Sequence, residues 1–177
     1  MIHPDATTET AIFAGGCFWC MEPAFDRIPG VVSVTPGYTG GNTRDPSYQE
    51  VCSGATGHLE AVRISFDPRQ VSYRELLEVF WRNIDPTTKN RQFCDFGTQY
   101  QTAIFYTNED QRKAAEASKK ELEQSRPWPI ATQLRSANLF YPAEEYHHQY
   151  YRKNPLNYQR YHEGCGRRGR LKELWGE

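Results

Sequence analysis

A cysteine directly after a glycine pair is the residue of this chain best placed to do chemistry. Residues 12–20 read Ile-Phe-Ala-Gly-Gly-Cys-Phe-Trp-Cys, in which an apolar run typical of a buried strand ends in a tight turn. A helical stretch follows Cys17, and the free N–H groups at a helix start favour nearby negative charge. A thiol held there loses its proton readily, and the thiolate is the reactive form. Phe18 and Trp19 follow the thiol directly and could line an apolar pocket. The pattern therefore predicts a reactive cysteine beside a hydrophobic substrate-binding pocket.

The elements that must position this thiol alternate in type along the chain. β-Branched and apolar runs predict strands over residues 10–14, 31–35, 60–66, 102–106 and 131–136. Capping residues and periodicity predict helices from about residue 20 to 27, over 73–84, over 109–124 and over 143–152. Polar loops are expected at 37–58 and 86–99, and a loop that long in a compact domain is usually functional.

This order of elements predicts one domain over residues 1–177 of the α/β (α+β) class. We expect a mixed β-sheet with helices packed on it in a ferredoxin-like two-layer core. The core should span about residues 10–150, and the C-terminal tail, 151–177, shows little periodicity and is predicted to be irregular.

The composition of the chain argues against nucleic-acid binding, membrane binding and a disulfide scaffold. The chain is 38% hydrophobic and 24% charged, with a net charge of −1, which gives no electrostatic reason to expect a nucleic acid or membrane partner. The N-terminus is polar and lacks the apolar run of a signal peptide. Five cysteines are too sparse for a disulfide scaffold. We therefore expect a cytoplasmic protein whose cysteines are catalytic, metal-binding or simply buried. Separately, we expect the chain to act as a monomer.

Four short motifs carry a family resemblance. Gly-Cys-Phe-Trp at 16–19 is followed by Gly-Tyr-Thr-Gly-Gly at 37–41, by Gly-His-x-Glu-Ala-Val at 57–62 and by Asp-x-Gly-Thr-Gln-Tyr at 95–100. Each motif is weak alone, but in this order the chain closely resembles the A-type peptide methionine sulfoxide reductases over about residues 10–150. The resemblance implies reduction of the S epimer of methionine sulfoxide, free or in proteins, with neither a bound cofactor nor a metal.

The resemblance also implies roles for individual residues. A sulfoxide sulfur is a poor electrophile until its oxygen is protonated, so a thiolate and an acid must face the same S=O bond. Cys17 matches the nucleophile and Glu60 the acid, whose pKa partial burial would raise. Tyr48 and Tyr100 match hydroxyl groups that hydrogen-bond the sulfoxide oxygen.

The remaining matched positions concern orientation and binding. Asp95 corresponds to a residue that orients the substrate and the local network. Phe18 and Trp19 would cradle the ε-methyl group of the substrate. Gln101 departs from the arginine common in the family after that tyrosine, which affects one surface contact rather than the chemistry.

Recycling of Cys17 needs a second thiol. Attack on the sulfoxide leaves a sulfenic acid on Cys17, a resolving thiol condenses with it, and thioredoxin or a similar dithiol reduces the disulfide. We favour Cys165 as the resolving thiol, because it lies in a Gly-rich stretch and the family often carries a resolving thiol in a mobile C-terminal tail. Cys20, where the family commonly has glycine, is the alternative, since its C-x-x-C spacing with Cys17 permits a local disulfide.

Other interpretations of these residues stay open. Cys52 and Cys94 are expected to be structural, although Cys94 is next to Asp95, and the histidines at 147 and 148 are expected on a solvated face. One rival function is a thiol–disulfide oxidoreductase that uses Cys17 and Cys20. Another is a zinc module that combines this pair with two ligands from Cys94, Cys165 or a histidine, although zinc sites usually show two close ligand pairs.

Overall fold

The computed structural model of this protein describes residues 7–176, so the first six residues of the polar N-terminus lie outside it. The strands are Glu9–Gly15 (β1), Val31–Thr39 (β2), Leu59–Phe66 (β3), Arg91–Gln92 (β4), Asp95–Phe96 (β5), Thr102–Tyr106 (β6), Gln133–Ser136 (β7) and Phe140–Pro142 (β8). The helices are Phe18–Asp26 (α1), Tyr48–Cys52 (α2), Tyr73–Arg82 (α3), Glu109–Ser125 (α4), Tyr150–Lys153 (α5), Pro155–Gly164 (α6) and Arg167–Trp175 (α7).

Six strands form one mixed sheet in the order β7-β6-β1-β3-β2-β8. The pair β6–β7 is parallel and the other neighbours are antiparallel. At the centre of the sheet, Phe13 of β1 lies opposite Val62 of β3 and Ile104 of β6. The mixed sheet and the α/β class predicted from the sequence are confirmed.

Alternation along the strands divides the buried residues between the two faces of the sheet. Ala11 and Phe13 of β1 belong to the larger core cluster, together with α1 and α3, whereas Ile12 and Ala14 belong to a smaller cluster on the other side. Phe13 stacks on Phe25 of α1 and Phe80 of α3. This packing fixes the start of α1 against the end of β1, where Cys17 lies.

Reciprocal capping boxes define the starts of two helices. Ser72 accepts a hydrogen bond from the backbone N–H of Glu75, and the Glu75 carboxylate accepts one from the N–H of Ser72, the reciprocal arrangement predicted from the sequence. Ser47 and Glu50 make the same pair at the start of α2. The region 37–58, predicted to be a loop, therefore contains both the end of β2 and a short helix.

The C-terminal segment differs from the irregular tail that we predicted, since α6 and α7 are helical. Individual polar contacts, rather than a continuous apolar stripe, hold this segment against the rest of the domain. Arg170 forms an ion pair with Asp85 at 2.8 Å, and the indole N–H of Trp175 donates to the carbonyl of Ile84. Hydrophobic periodicity is the sequence pattern that reveals a helix, and specific polar docking does not produce it.

The predicted helix over 143–152 is also interrupted. A single 3₁₀ turn spans Glu145–His147, and Gln149 then has a φ of +52°, a left-handed conformation that starts the short helix α5. The backbone N–H of Gln149 donates to Glu22 Oε1 at 2.8 Å, which holds this turn against α1. Within the described part of the chain, no helix is long and apolar enough to cross a membrane.

Candidate active site

Cys17 caps the N-terminus of α1. Its carbonyl accepts from the N–H of Cys20 at 3.1 Å, and its own backbone is extended after Gly16, whose φ is +84°. A Cβ at Gly16 would lie 2.6 Å from Cβ of Gln92, so the turn needs glycine for space as well as conformation. The helix begins at Phe18 and contains Pro23, so the predicted start near Cys20 or Met21 was wrong.

Cys17 and Cys20 form a buried thiol pair. Both are 6% exposed. Burial raises the pKa of Cys17, and the neighbouring Cys17 thiol lowers the pKa of Cys20 to about 7. We had expected the helix start to lower the pKa of Cys17. In this structure burial outweighs the helix terminus, because removing water penalises the thiolate.

Glu60 faces the same site from the second residue of β3. It is 1% exposed, and its Oε1 accepts from the backbone N–H of Phe18 at 3.3 Å. Oε2 has no hydrogen-bond partner in residues 7–176. Burial is the main cause that raises the pKa of Glu60 to about 8, and the charge of Asp95 adds to it. The carboxyl group is therefore largely protonated at neutral pH.

Hydroxyl and carboxyl groups complete the polar part of the site. Burial and the charge of Glu60 raise the pKa values of Tyr48 and Tyr100, so both phenols stay protonated. Burial also raises the pKa of Asp95, which accepts a hydrogen bond from the hydroxyl of Tyr161. The structure thus brings Cys17, Glu60, Tyr48, Tyr100 and Asp95 into one electrostatically coupled group.

Aromatic rings form the apolar part of the site. Phe18 is buried against Tyr38 and His147, while Trp19 stacks on Tyr150 at 3.9 Å between ring centroids. The Trp19 indole N–H donates to His147 Nδ1 at 2.9 Å. His147 is fully buried, which corrects its prediction as part of a solvated face, and burial lowers its pKa to about 4. A neutral imidazole therefore holds Trp19 in place.

Helix α6 lies over the two thiols. Tyr158 lines the same surface cavity as Cys20, and Tyr161 packs edge-on against Trp19 while its hydroxyl donates to Asp95. The tail thus contacts residues next to Cys17 on several sides. These contacts account for part of the burial of Cys17 in this closed arrangement.

Cys94 and Cys165 form a disulfide, with Cα atoms 4.9 Å apart. We predicted Cys94 to be a structural residue, but nothing in the sequence indicated that Cys165 is its disulfide partner. Cys52 is an exposed free thiol at the end of α2. The described residues do not gather the four ligands of the zinc alternative. The donor group found there is Cys94, Asp95 and Cys165, and its two sulfur atoms are already bonded to each other.

Several site residues could not be recognised from the sequence. Glu144 accepts from the Tyr38 hydroxyl and from the backbone N–H of Tyr48, and so fixes one wall of the site. His147 and Tyr161 act through Trp19 and Asp95. Residues 140–161 are rich in aromatic side chains, and this is the sequence signal that could have pointed to this wall of the site.

A buried thiol at a helix start beside a protonated carboxyl group defines a thiol-dependent oxidoreductase of the α/β class. The family model for peptide methionine sulfoxide reductase matches residues 9–177. The peptide methionine sulfoxide reductase MsrA of Bacillus licheniformis is 55% identical over 170 residues, which cover 95% of this chain and 94% of that protein.

Solved structures agree with this match. Mxr1 from Saccharomyces cerevisiae in reduced form aligns with a TM-score of 0.81 and 34% identity over 88% of this chain and 90% of that one. Methionine sulfoxide reductase A of Corynebacterium diphtheriae aligns with a TM-score of 0.77 and 36% identity over 88% of this chain and 79% of that one. The chain belongs to the peptide methionine sulfoxide reductase family, and it is an oxidoreductase of the A type.

Proposed function

We propose that this chain reduces the S epimer of methionine sulfoxide, free or in proteins, with Cys17 as the nucleophile. The proposal rests mainly on one observation. The buried Glu60 carboxyl group accepts a hydrogen bond from the backbone N–H of Phe18, the residue that follows Cys17. A carboxyl group that keeps its proton at neutral pH can give it to the sulfoxide oxygen as the thiolate attacks sulfur. The oxygen passes to Cys17, which becomes a sulfenic acid, and methionine leaves.

The phenols and aromatic rings have supporting roles in this proposal. The hydroxyl groups of Tyr48 and Tyr100 donate to the sulfoxide oxygen and stabilise the charge that develops there. Asp95 orients this network, and Phe18 and Trp19 enclose the ε-methyl group. His147 supports the indole of Trp19, which favours one orientation of that ring.

We propose Cys165 as the thiol that resolves the sulfenic acid. It condenses with Cys17, releasing water and forming a disulfide that thioredoxin reduces. Support comes from α6, which ends next to Cys165 and whose Tyr158 lines the same cavity as Cys20. Cys20 is the alternative, because it lies in the first turn of α1 and each of the two buried thiols shifts the pKa of the other. Thioredoxin dependence favours the reducing cytoplasm as the setting, with the chain acting as a monomer and without a bound cofactor.

The test uses separated S and R epimers of a methionine sulfoxide peptide, with dithiothreitol as reductant and methionine measured by chromatography. We expect methionine from the S epimer alone, and none from Cys17→Ser. Activity on the R epimer, or equal activity in the variant, would contradict the proposal. Cys165→Ser and Cys20→Ser, each assayed with thioredoxin, distinguish the two resolving thiols, since loss of the true one stops turnover.

A further inference from the structure

A half-exposed aromatic ring borders the candidate active site. Tyr146 lies in the 3₁₀ turn Glu145–His147 and is 50% exposed. Its ring centre is 4.0 Å from that of the fully buried His147. Single exposed apolar side chains are common on protein surfaces and need no function. Among the exposed large apolar side chains of residues 7–176, however, Tyr146 is the one whose ring packs on a ring of the site.

His147 links Tyr146 to the rings that line the substrate pocket. The ring centre of His147 lies 5.0 Å from that of Phe18 and 4.5 Å from that of Tyr48. Phe18 is the residue that we propose to enclose the ε-methyl group of the substrate. A continuous row of three rings, Phe18, His147 and Tyr146, therefore leads from the buried pocket to the surface.

The backbone and the charges around Tyr146 hold this ring as a fixed, neutral surface. The backbone N–H of His147 donates to the carbonyl of Glu144 at 2.9 Å. The Glu144 carboxylate accepts from the Tyr38 hydroxyl at 2.9 Å and from the backbone N–H of Tyr48 at 3.0 Å. Partial burial and the charge of Glu144 raise the pKa of Tyr146, so its phenol stays protonated. A side chain that packs on a ring held in this way orders little of the protein when it binds.

The spacing of the three rings matches an extended polypeptide. In an extended chain, successive side chains point to opposite sides, and residues two apart lie on the same side at a separation of about 6.8 Å. When a methionine sulfoxide side chain enters the pocket at Phe18, its immediate neighbours point away from the protein. A residue two positions away points back toward the surface. Its distance from the pocket is comparable with the two steps of 5.0 and 4.0 Å that lead from Phe18 through His147 to Tyr146.

We propose that Tyr146 is a specificity-determining residue, which binds an apolar side chain two positions away from the methionine sulfoxide of an extended polypeptide. The proposal rests on the function proposed above and names its preferred substrate class. Free methionine sulfoxide has no side chain that can reach Tyr146. Packing of a leucine on one face of the half-exposed ring should lower KM about fivefold. It should leave kcat nearly unchanged, because this contact is the same in the ground state and in the transition state.

The first experiment measures kcat and KM with dithiothreitol as reductant. The substrates are S-epimer peptides in which methionine sulfoxide has two alanines on each side and both ends are blocked, with leucine replacing one alanine at a time. We expect leucine two positions before or two positions after the sulfoxide to raise kcat/KM about fivefold through KM. Leucine at an adjacent position should change it by less than about twofold. No gain at either alternate position, or an equal gain at an adjacent one, would overturn the proposal.

Substitutions of Tyr146 show whether its ring provides the gain. Tyr146→Ala should abolish the gain from leucine, whereas Tyr146→Phe keeps the ring and should retain it. A change transmitted through His147 to the pocket would affect the alanine and leucine peptides alike, so the ratio of their kcat/KM values isolates the contact. Leu156→Ala is the matched control, because it removes another exposed apolar side chain, on α6, and should keep the wild-type ratio. A leucine gain that survives in Tyr146→Ala would contradict the proposal.

Binding to reduced Cys17→Ser separates this contact from the chemistry. The variant lacks the proposed nucleophile, so titration calorimetry gives the Kd of peptides that do not react. We expect the leucine peptide to bind about fivefold more tightly than the alanine peptide, and Tyr146→Ala in the same background to remove the difference. Equal affinities in Cys17→Ser would overturn the contact. If the affinities differ as expected but the wild type forms no methionine from any peptide, the proposed function fails and the contact does not.

Discussion

The backbone N–H of Phe18 donates to Glu60 Oε1 over 3.3 Å, so the residue after Cys17 holds the carboxyl group that we propose as the acid. The bond joins the first turn of α1 to β3. It holds the Glu60 carboxyl group against the backbone of the residue that follows Cys17. Burial keeps the carboxyl group protonated at neutral pH, since the pKa of Glu60 is about 8.

Replacing this acid should change both the rate and its pH dependence. Because glutamine cannot give up a proton, we expect Glu60→Gln to lower kcat/KM by a factor of about 10²–10⁴. In the wild type, activity should fall as pH rises through about 8, where Glu60 loses its proton. A pH profile of dithiothreitol-supported activity checks this. A high-pH fall that persists unchanged in the residual activity of Glu60→Gln would assign that limb to another group.

The same carboxyl group should make folding stability depend on pH. Burial raises its folded pKa from 4.5 to about 8, so between these values the folded state holds a proton that the unfolded state has released. Stability is therefore lost as pH rises through this window, by up to about 1.4 kcal/mol per pH unit. Glu60→Gln keeps the acceptor for the N–H of Phe18 and has no such loss.

Chemical unfolding of both proteins at pH 5 and pH 8 measures this difference. We expect the free energy of unfolding of Glu60→Gln, relative to that of the wild type, to increase as pH rises. Glu75→Gln at the exposed start of α3 is the control, because the two side chains of its capping box lie at the surface. A gap between Glu60→Gln and wild type that does not change with pH would show that Glu60 titrates normally.

Tyr161 should control access to Cys17 in the disulfide-bonded protein. Its hydroxyl donates to the half-buried carboxylate of Asp95, and a hydrogen bond to a charged group contributes about 1.5–3 kcal/mol. Tyr161→Phe removes that bond but keeps the ring against Trp19. We therefore expect Cys17 to react with iodoacetamide about tenfold faster, as measured by mass spectrometry of the alkylated peptide.

The control for this variant is Tyr106→Phe, at the end of β6. Its alkylation rate should match that of the wild type. Equal rates in Tyr161→Phe and wild type would mean that α6 does not limit the exposure of Cys17.

The residues whose roles follow from local pattern were predictable from the sequence. A strand, two glycines and a thiol before a helix located Cys17, and Ser72 with Glu75 marked a helix start. The strand at Thr102–Tyr106 has the predicted bounds. In each case nearby residues determine the conformation, so the pattern carries the information.

The features that depend on distant contacts could not be predicted. His147 is buried because Phe18 and Trp19 pack on it from 128 or more residues away in the chain. Cys94 and Cys165 are separated by 71 residues, and no spacing rule pairs them. The helical tail follows from docking by Arg167 and its neighbours. The direction of the pKa shift of Cys17 was predicted wrongly for the same reason. The helix start can be read from neighbouring residues, whereas the burial of the thiol depends on residues distant in the chain.

Replacing Arg167 should show whether this residue holds the start of α7 against the turn that carries Cys94. Its guanidinium bonds to the carbonyl of Asn83 and lies over the ring of Phe93, so it joins α7 to the turn that carries Cys94. Arg167→Ala would leave that carbonyl without its charged donor and release the start of α7. We expect the Cys94–Cys165 disulfide to become easier to reduce, by a factor of about 10–100 in its equilibrium with glutathione.

The neighbouring Arg168 is exposed, and Arg168→Ala is therefore the matched control for loss of one positive charge. It should leave the glutathione equilibrium within about twofold of the wild type, because a surface charge near a thiol is screened by water and salt. An equal shift in both variants would attribute the effect to charge. A shift confined to Arg167→Ala would show that the docking of α7 itself brings Cys165 to Cys94.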